Sequence, residues 1–273
     1  MLNRTVIALD AQRYGLDVAG QNIANVNTPG YVRRSAVLVE TPPPDPFSPG
    51  GGVNVAGLLA SRAPLVDGRL RYEQPLASRE GAVADQLGVL ESGLGQAGSS
   101  LDEALASFYN TYATLGQSPT SATARQQVVV QGQSLARSFN DMASRFESQR
   151  RSADAEIRAQ VTQLNALAAQ LSGINRQIAQ TEPSNAQGLY DQQAQVIKAM
   201  SSFVDLNVIS RNDGVVDVSI GNVRALVLGE RAYPIQVSSN ASGYGTLLSD
   251  GAAVTTDVTG EITGGRIGGL LHV

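Results

Sequence analysis

The chain has 273 residues, a net charge of −4 and a pI near 5.1: length for one large domain or two modest ones, and a balance that argues against the basic footprint of a nucleic-acid protein. It has no cysteine and a single histidine, His272, which excludes disulfide frameworks, thiolate nucleophiles and Cys-based metal sites and weighs against His clusters and a Ser-His-Asp triad. No apolar run approaches the roughly 20 residues of a membrane helix, and Arg4, Asp10 and Arg13 interrupt the N-terminus too early for the apolar core of a Sec-type signal.

Leu2, Leu9, Leu16 and Ile23 recur every seven residues, and Ala19 and Val26 add the three-residue step. This spacing predicts an amphipathic helix of about six turns with a heptad seam. Asn3, Asp10, Gln12, Arg13 and Asp17 lie opposite. Such a helix either buries its seam against its own domain or offers a sticky end to partner chains. The stretch NIANVNTPGY, Asn22 to Tyr31, closes it. Pro29 disfavours helical geometry for Thr28 and cannot continue the ladder. Gly30 suits the third position of a type II turn. Asn22, Asn25 and Asn27 can bond backbone at the helix end; a plain helix stop needs only the Pro-Gly pair.

Ser35 to Glu40 is predicted extended, Thr41 to Gly52 is a Pro/Gly-rich hinge or surface loop, and Val53 to Leu58 resembles a short strand. Helix is expected from Pro75, with Val83, Leu87, Leu90 and Leu94 at four-three spacing. The Gly93 to Ser100 cluster interrupts it. Ser100 and Glu103 form a capping box, after which Leu101, Leu105, Phe108, Tyr112 and Leu115 resume the pattern. Ser121 or Thr120 caps a helix running to about Thr181, with Leu135, Phe139, Met142 and Phe146 on one seam segment and Ile157, Val161, Leu164, Ala168, Leu171 and Ile178 on another. Sixty helical residues span roughly 90 Å, which calls for an extended or coiled-coil architecture. A turn at Glu182 to Asn185 precedes a helix from Leu189 to Val204. Strands follow at Val215 to Ile220, Ala225 to Leu228 and Tyr233 to Val237. The final GRIGGLLHV stops on an apolar run without a cap, as a cut chain would.

Chemistry is sparse. Aromatics make up 5%, a poor stock for a pocketed enzyme. The glycine pairs at 264–265 and 268–269 lack the Gly-Lys-Ser/Thr of a phosphate loop. Asp102 with Glu103 and Asp154 with Glu156 are expected on solvated helix faces rather than as a glycosidase pair. No catalytic, metal or cofactor residue is assigned, and no cofactor is called for.

The seam that ends in NIANVNTPGY, Leu2 to Arg34, resembles the N-terminal signature of the bacterial flagellar axial proteins: rod, hook and hook-associated proteins. The long helices that follow, and DQQAQVIKAMSSFVDLNV through GRIGGLLHV, are similar to the hook-associated protein 1 family at the hook–filament junction. The chain departs from the family run Asp-Gln-Arg-Asp at Gln193 and Ala194. The resemblance implies a structural subunit without enzymatic activity. It implies export through the flagellar type III apparatus and assembly as a ring of identical subunits between hook and filament. Implied partners are the hook protein, the next junction protein and an export chaperone, with no nucleic acid or membrane, in a secreted, extracellular location. The family continues past Val273 with outer domains and a C-terminal helix that pairs with the N-terminal one, and its helical second domain packs laterally with neighbours.

The expected fold is mainly α and elongated: long coiled-coil-like antiparallel helices with a β-hairpin or small sheet. Expected units are 1–35, an assembly helix and turn; 36–75, an extended connector; 76–205, a long-helix bundle; and 206–273, a β-rich segment. The expected assembly interface is Leu2, Leu9, Leu16, Ala19, Ile23 and Val26, and the signature turn is Asn22, Asn25, Asn27, Thr28, Pro29, Gly30 and Tyr31. Alternatives are a flagellin-like filament subunit, a secreted adhesin, or a flagellum-associated hydrolase. Flagellins usually lack the Asn-Thr-Pro-Gly-Tyr stretch, the adhesin would show repeats, and the hydrolase needs a constellation the sequence does not supply.

Overall fold

The computed structural model describes residues 2–28, 30–42, 51–61, 64–94, 101–183, 185–221, 224–239, 245–250 and 255–272. Helix α1 (Leu2–Ala24) leads into strands β1 (Arg34–Thr41) and β2 (Gly52–Ala60). Helices α2 (Pro64–Leu94), α3 (Leu101–Gln117), α4 (Ala122–Ala179) and α5 (Gln187–Met200) follow. Then come β3 (Leu206–Ser210), β4 (Val216–Ile220), β5 (Arg224–Leu228), β6 (Arg231–Ala232), β7 (Ile235–Ser239), β8 (Gly245–Asp250) and β9 (Thr255–Asp257), and a short helix α6 (Gly265–Leu271). The chain is mainly helical, with small antiparallel sheets ordered β1-β2, β3-β4-β5-β6 and β7-β8-β9.

Helix α4 is the spine. Its 58 residues reach on the order of 90 Å at 1.5 Å per residue. Of the two predicted caps, Ser121 is used: its Oγ accepts the Ala124 N–H at 3.2 Å, filling one of the orphan donors of the first turn. Helices α2 and α3 run antiparallel to it in succession. Gln86 bonds Gln149 at 2.5 Å and Glu156 at 3.3 Å, while Phe108 lies against Gly132, nearer the start of α4.

The two predicted seam segments of α4 meet different surroundings. Ile157, Val161, Leu164, Ala168, Leu171 and Ile178 are all buried, against α5, the strands β4, β5, β7 and β8, and α6. The other segment has α3 beside its start and, at Phe146, the Gln86 and Leu90 side chains of α2. Phe139 and Phe146 stay largely exposed there, and α3 buries no residue fully.

Within the buried segment one seam position is polar. Asn175 is fully buried between Leu171 and Ile178. Its Nδ2 donates to the Val216 and Gly229 carbonyls at 2.8 and 2.7 Å, and its Oδ1 accepts from Gln193 Nε2 at 3.0 Å and from the Val216 N–H at 3.4 Å. A buried amide with both ends satisfied fixes register without the cost of an unpaired group. Gln193, a departure from the family run, is buried here as a neutral partner.

Several boundaries differ from expectation. The stretch 36–75 is a hairpin followed by the first turns of α2, because Val37 to Val39 and Val53 to Val55 lie on strands that pair in register about a bulge at Val37/Leu38. Helix α2 begins at Pro64 and carries Pro75 inside it. Both prolines fit a first helical position by local rules; Pro75 is tolerated in the interior, where it is buried beside Gly264. The bundle and the β-rich segment share one core. Helix α5 stops at Met200 and β3 is an additional strand. The helix break expected at Gly93 to Ser100 starts later, since α2 includes Gly93 and Leu94; its remainder with the Ser100 cap, Pro29, Asn222 and most of the Pro/Gly-rich stretch lie outside the described residues, as does the side chain of Leu2.

The terminal apolar run forms α6, which slots between α2 and α4. Gly265 has φ +71°, and a Cβ there would run into the Phe203 carbonyl. The Ser202 and Phe203 carbonyls accept the Arg266 and Ile267 N–H groups, both at 3.0 Å. Gly269 faces the Arg79 carbonyl and Ala82, where a Cβ would sit 2.7 and 2.8 Å from them. Glycine here permits close helix approach, and any side chain would force the helices apart.

Leu164 and Leu171 are fully buried, so Leu164→Ala should cost about 2–5 kcal/mol. Phe139→Ala on the open segment should cost less than about 1 kcal/mol, because half of that ring already faces water. Urea denaturation of the two variants checks both; equal losses would show that the core does not end where α3 takes over from α6 and the sheets.

Candidate functional site

Between Thr5 and Thr28 the residues that are not exposed are Ala8, Ala11, Gly15, Val18, Asn22 and Asn25. Their spacing is three-four-three-four-three, a heptad stripe in its own right. This is the face of α1 that packs on β1 and β2. The side chains on this face are small: Ala11 is 3% and Val18 5% exposed, while a Cβ on Gly15 would meet nothing within 4 Å.

The predicted interface residues form the other stripe. Leu9 is 69% exposed, Leu16 73%, Ile23 74% and Val26 74%, and Ala19 is exposed beside them. Val6, half exposed, extends this stripe, which sequence reasoning did not include. Large aliphatic side chains repeating on one face, with nothing over them, are what a coiled-coil partner covers. At its C-terminal end the stripe opens onto a groove of about 540 Å³, lined by Ala19, Asn22, Ile23, Val26, Tyr31 and Arg33. The predicted seam and the signature turn therefore meet.

The turn has a division of labour. Asn25 closes the helix end: its Nδ2 donates to the Gln21 carbonyl at 3.0 Å, and its Oδ1 accepts the Thr28 hydroxyl at 3.2 Å. The Tyr31 N–H donates to the Thr28 carbonyl at 3.1 Å, and Gly30 has φ +78°. That bond and that positive φ are what a type II turn with glycine at its third position requires. Asn27 is exposed.

Asn22 reaches forward to the strand. Its Nδ2 donates to the Arg34 carbonyl at 2.7 Å, and its Oδ1 accepts the Arg34 N–H and the Tyr31 hydroxyl, each at 2.9 Å. The side-chain amide pairs with both backbone groups of Arg34, as a neighbouring strand would. The Arg34 guanidinium sits 5.3 Å from the centre of the Tyr31 ring, within cation–π range. Its Nη2 pairs with Asp191 Oδ2 on α5 at 2.7 Å. Gly30 also meets α5: the Gln195 side chain occupies the space that a Cβ on Gly30 would take.

Sequence reasoning missed the small-residue stripe and the contacts to α5. The stripe was legible as Ala8, Ala11, Gly15 and Val18 at heptad spacing, but alanine and glycine carry little weight in an apolar pattern. The Arg34–Asp191 pair spans 157 residues, and no local pattern announces such a partner. Among the described residues no group of acidic or histidine side chains is placed to hold a metal ion, and no helix is long and apolar enough to cross a membrane.

Residues 87–273 match the model of the flagellar hook-associated protein FlgK helical domain, and residues 3–31 match that of the flagella basal body rod protein. The flagellar hook-associated protein 1 of Bacillus subtilis is 31% identical over 257 residues, covering 88% of this chain and 48% of that protein. The Escherichia coli protein of the same name is 25% identical, covering 99% of this chain and 51% of that one. The chain thus spans about half the length of these relatives. Among solved structures, the flagellar hook junction protein FlgK from Burkholderia pseudomallei superposes with a TM-score of 0.67 at 24% identity, over 74% of this chain and 38% of that one. The chain belongs to the flagellar hook-associated protein 1 (FlgK) family.

Proposed function

We propose that the chain is a structural subunit that joins hook to filament by assembling as a ring, using the outward stripe of α1 as its adhesive surface. The observation that carries this reading is the division of α1 into two faces. Small residues dock it on its own hairpin, while Leu9, Leu16, Ile23 and Val26 stay in water. A monomer gains nothing from four large aliphatic groups so displayed; an assembly gains about 1.5–3 kcal/mol for each one it buries. The partners in this reading are other copies of the chain, the hook protein and the next junction protein. Delivery is by flagellar type III export with an export chaperone, to the outside of the cell. No reaction is assigned.

The double substitution Leu9→Asp with Leu16→Asp tests the reading. Both positions are exposed, so circular dichroism and melting of the soluble protein should barely change. Assembly at the hook tip, and with it motility, should be lost, because two carboxylates would have to be desolvated in the joint. A motile strain carrying this variant would remove α1 from the assembly surface.

The turn gives a second test. Gly30→Val forces a β-branched residue into φ +78°, at a cost of order 1–3 kcal/mol, and displaces Gln195 as well. The core around Leu164 and Leu171 lies elsewhere, so the main melting transition should stay. Capping of isolated hooks by this variant should fall well below that of the parent chain. Parent-level capping would reduce the signature turn to a helix stop.

A further inference from the structure

Arg34 is bound on two sides. Its backbone N–H and carbonyl are held by Asn22 of α1, and its guanidinium is held by Asp191 of α5. The two side chains of this ion pair are 15% and 9% exposed, so water screens the pair little. Four residues along α5 from Asp191, Gln195 receives Gly30. Positions i and i+4 share one face of a helix, so the turn rests on α5 at two points of a single face. The α1 helix packs against β1 and β2, and these two strands pack on each other. Next to the two contacts on α5 a cleft of about 550 Å³ opens, with Arg33 on the turn side and Leu70, Arg71, Lys198 and Val208 on the body side.

We propose that Arg34, Asp191 and Gln195 are positioning residues: a two-point clamp on one face of α5 that fixes the angle between the α1–hairpin unit and the helical body. The unit is internally stiff because Asn22 stitches helix to strand and the small-residue stripe of α1 lies flat on the hairpin. Its orientation is therefore set where it is attached. Arg34 suits the post, since its backbone belongs to the hairpin and its long side chain crosses to the body. The cation–π contact with Tyr31 keeps the guanidinium aimed at Asp191. Arg34 Nε is buried with no hydrogen-bond partner among the described residues. This clamp concerns the free subunit and does not depend on whether the α1 stripe is the assembly face.

The absence of cysteine makes the test direct. Gln12→Cys on α1 and Gln170→Cys on α4, both exposed positions, carry spin labels in the otherwise unchanged chain, and dipolar spectroscopy measures the distance between them in dilute monomer. The clamped subunit should give one narrow distance peak. Arg34→Ala and Asp191→Ala should each abolish that single peak and spread it over longer and shorter distances. The double variant should spread less than the sum of the two single variants, since the Arg34–Asp191 bond can be lost only once. The melting transition of the body should survive Arg34→Ala, whose side chain belongs to no core cluster; if Asp191→Ala unsettles α5, Arg34→Ala alone decides. An unchanged narrow peak in Arg34→Ala would overturn the clamp. So would a double variant whose spread is the sum of two independent effects.

Discussion

A helix can serve two masters only if its faces differ, and α1 separates its faces by side-chain size. Ala8, Ala11 and Val18 lie on the face of the helix that packs on β1 and β2. That contact fixes the rotation of the helix about its axis. Once the rotation is fixed, the large aliphatic stripe of Leu9, Leu16, Ile23 and Val26 has to face outward. The same contact brings Asn22 over the start of β1, where its amide engages both backbone groups of Arg34. From Arg34 the constraint passes to α5 through Asp191. A chain of small local choices thus relates the outward stripe of α1 to a helical body that it barely touches.

The body has an uneven economy of its own. Half of α4 is the wall of a true core, with Leu164, Ala168 and Leu171 fully buried and Asn175 pinning the strands to the helix. The other half is accompanied by α3 near its start and by α2 at Gln86, and its aromatic seam is left half in water. Stability is concentrated in the first half, where α4, α5, α6 and the two sheets meet. Glycines at 264, 265 and 269 let α6 reach into that meeting point between α2 and the Phe203 bend, and Gly268 lies tight on the Thr263 carbonyl just before the helix. These pairs look like phosphate-loop glycines on paper, and their structural use is packing.

Much of this was legible in the sequence because the signals were periodic or local. The seam from Ile157 to Ile178 and the extent of α4 follow from four-three spacing. The turn at Gly30 follows from Pro-Gly chemistry, and its positive φ agrees. What failed was nonlocal or depended on small residues. The hairpin was hidden because β1 and β2 flank a Pro/Gly-rich stretch, and their pairing is decided across it. The start of α2 was misplaced because Pro64 and Pro75 send the same local message, and only the packing of Pro75 beside Gly264 tells them apart. Asn22 was singled out for a bond at the helix end, whereas its partners lie nine and twelve residues on.

If α1 turns its small stripe inward and keeps its large stripe for partners, the two stripes differ in how reagents reach them. Single cysteines at Leu16 and at Val18, in a chain that otherwise has none, report on the two stripes by their rates of maleimide labelling. In the free subunit Leu16→Cys should label fast and Val18→Cys slowly; in assembled junctions both should be slow. Fast labelling of Val18→Cys in the free subunit, or continued fast labelling of Leu16→Cys after assembly, would contradict the account.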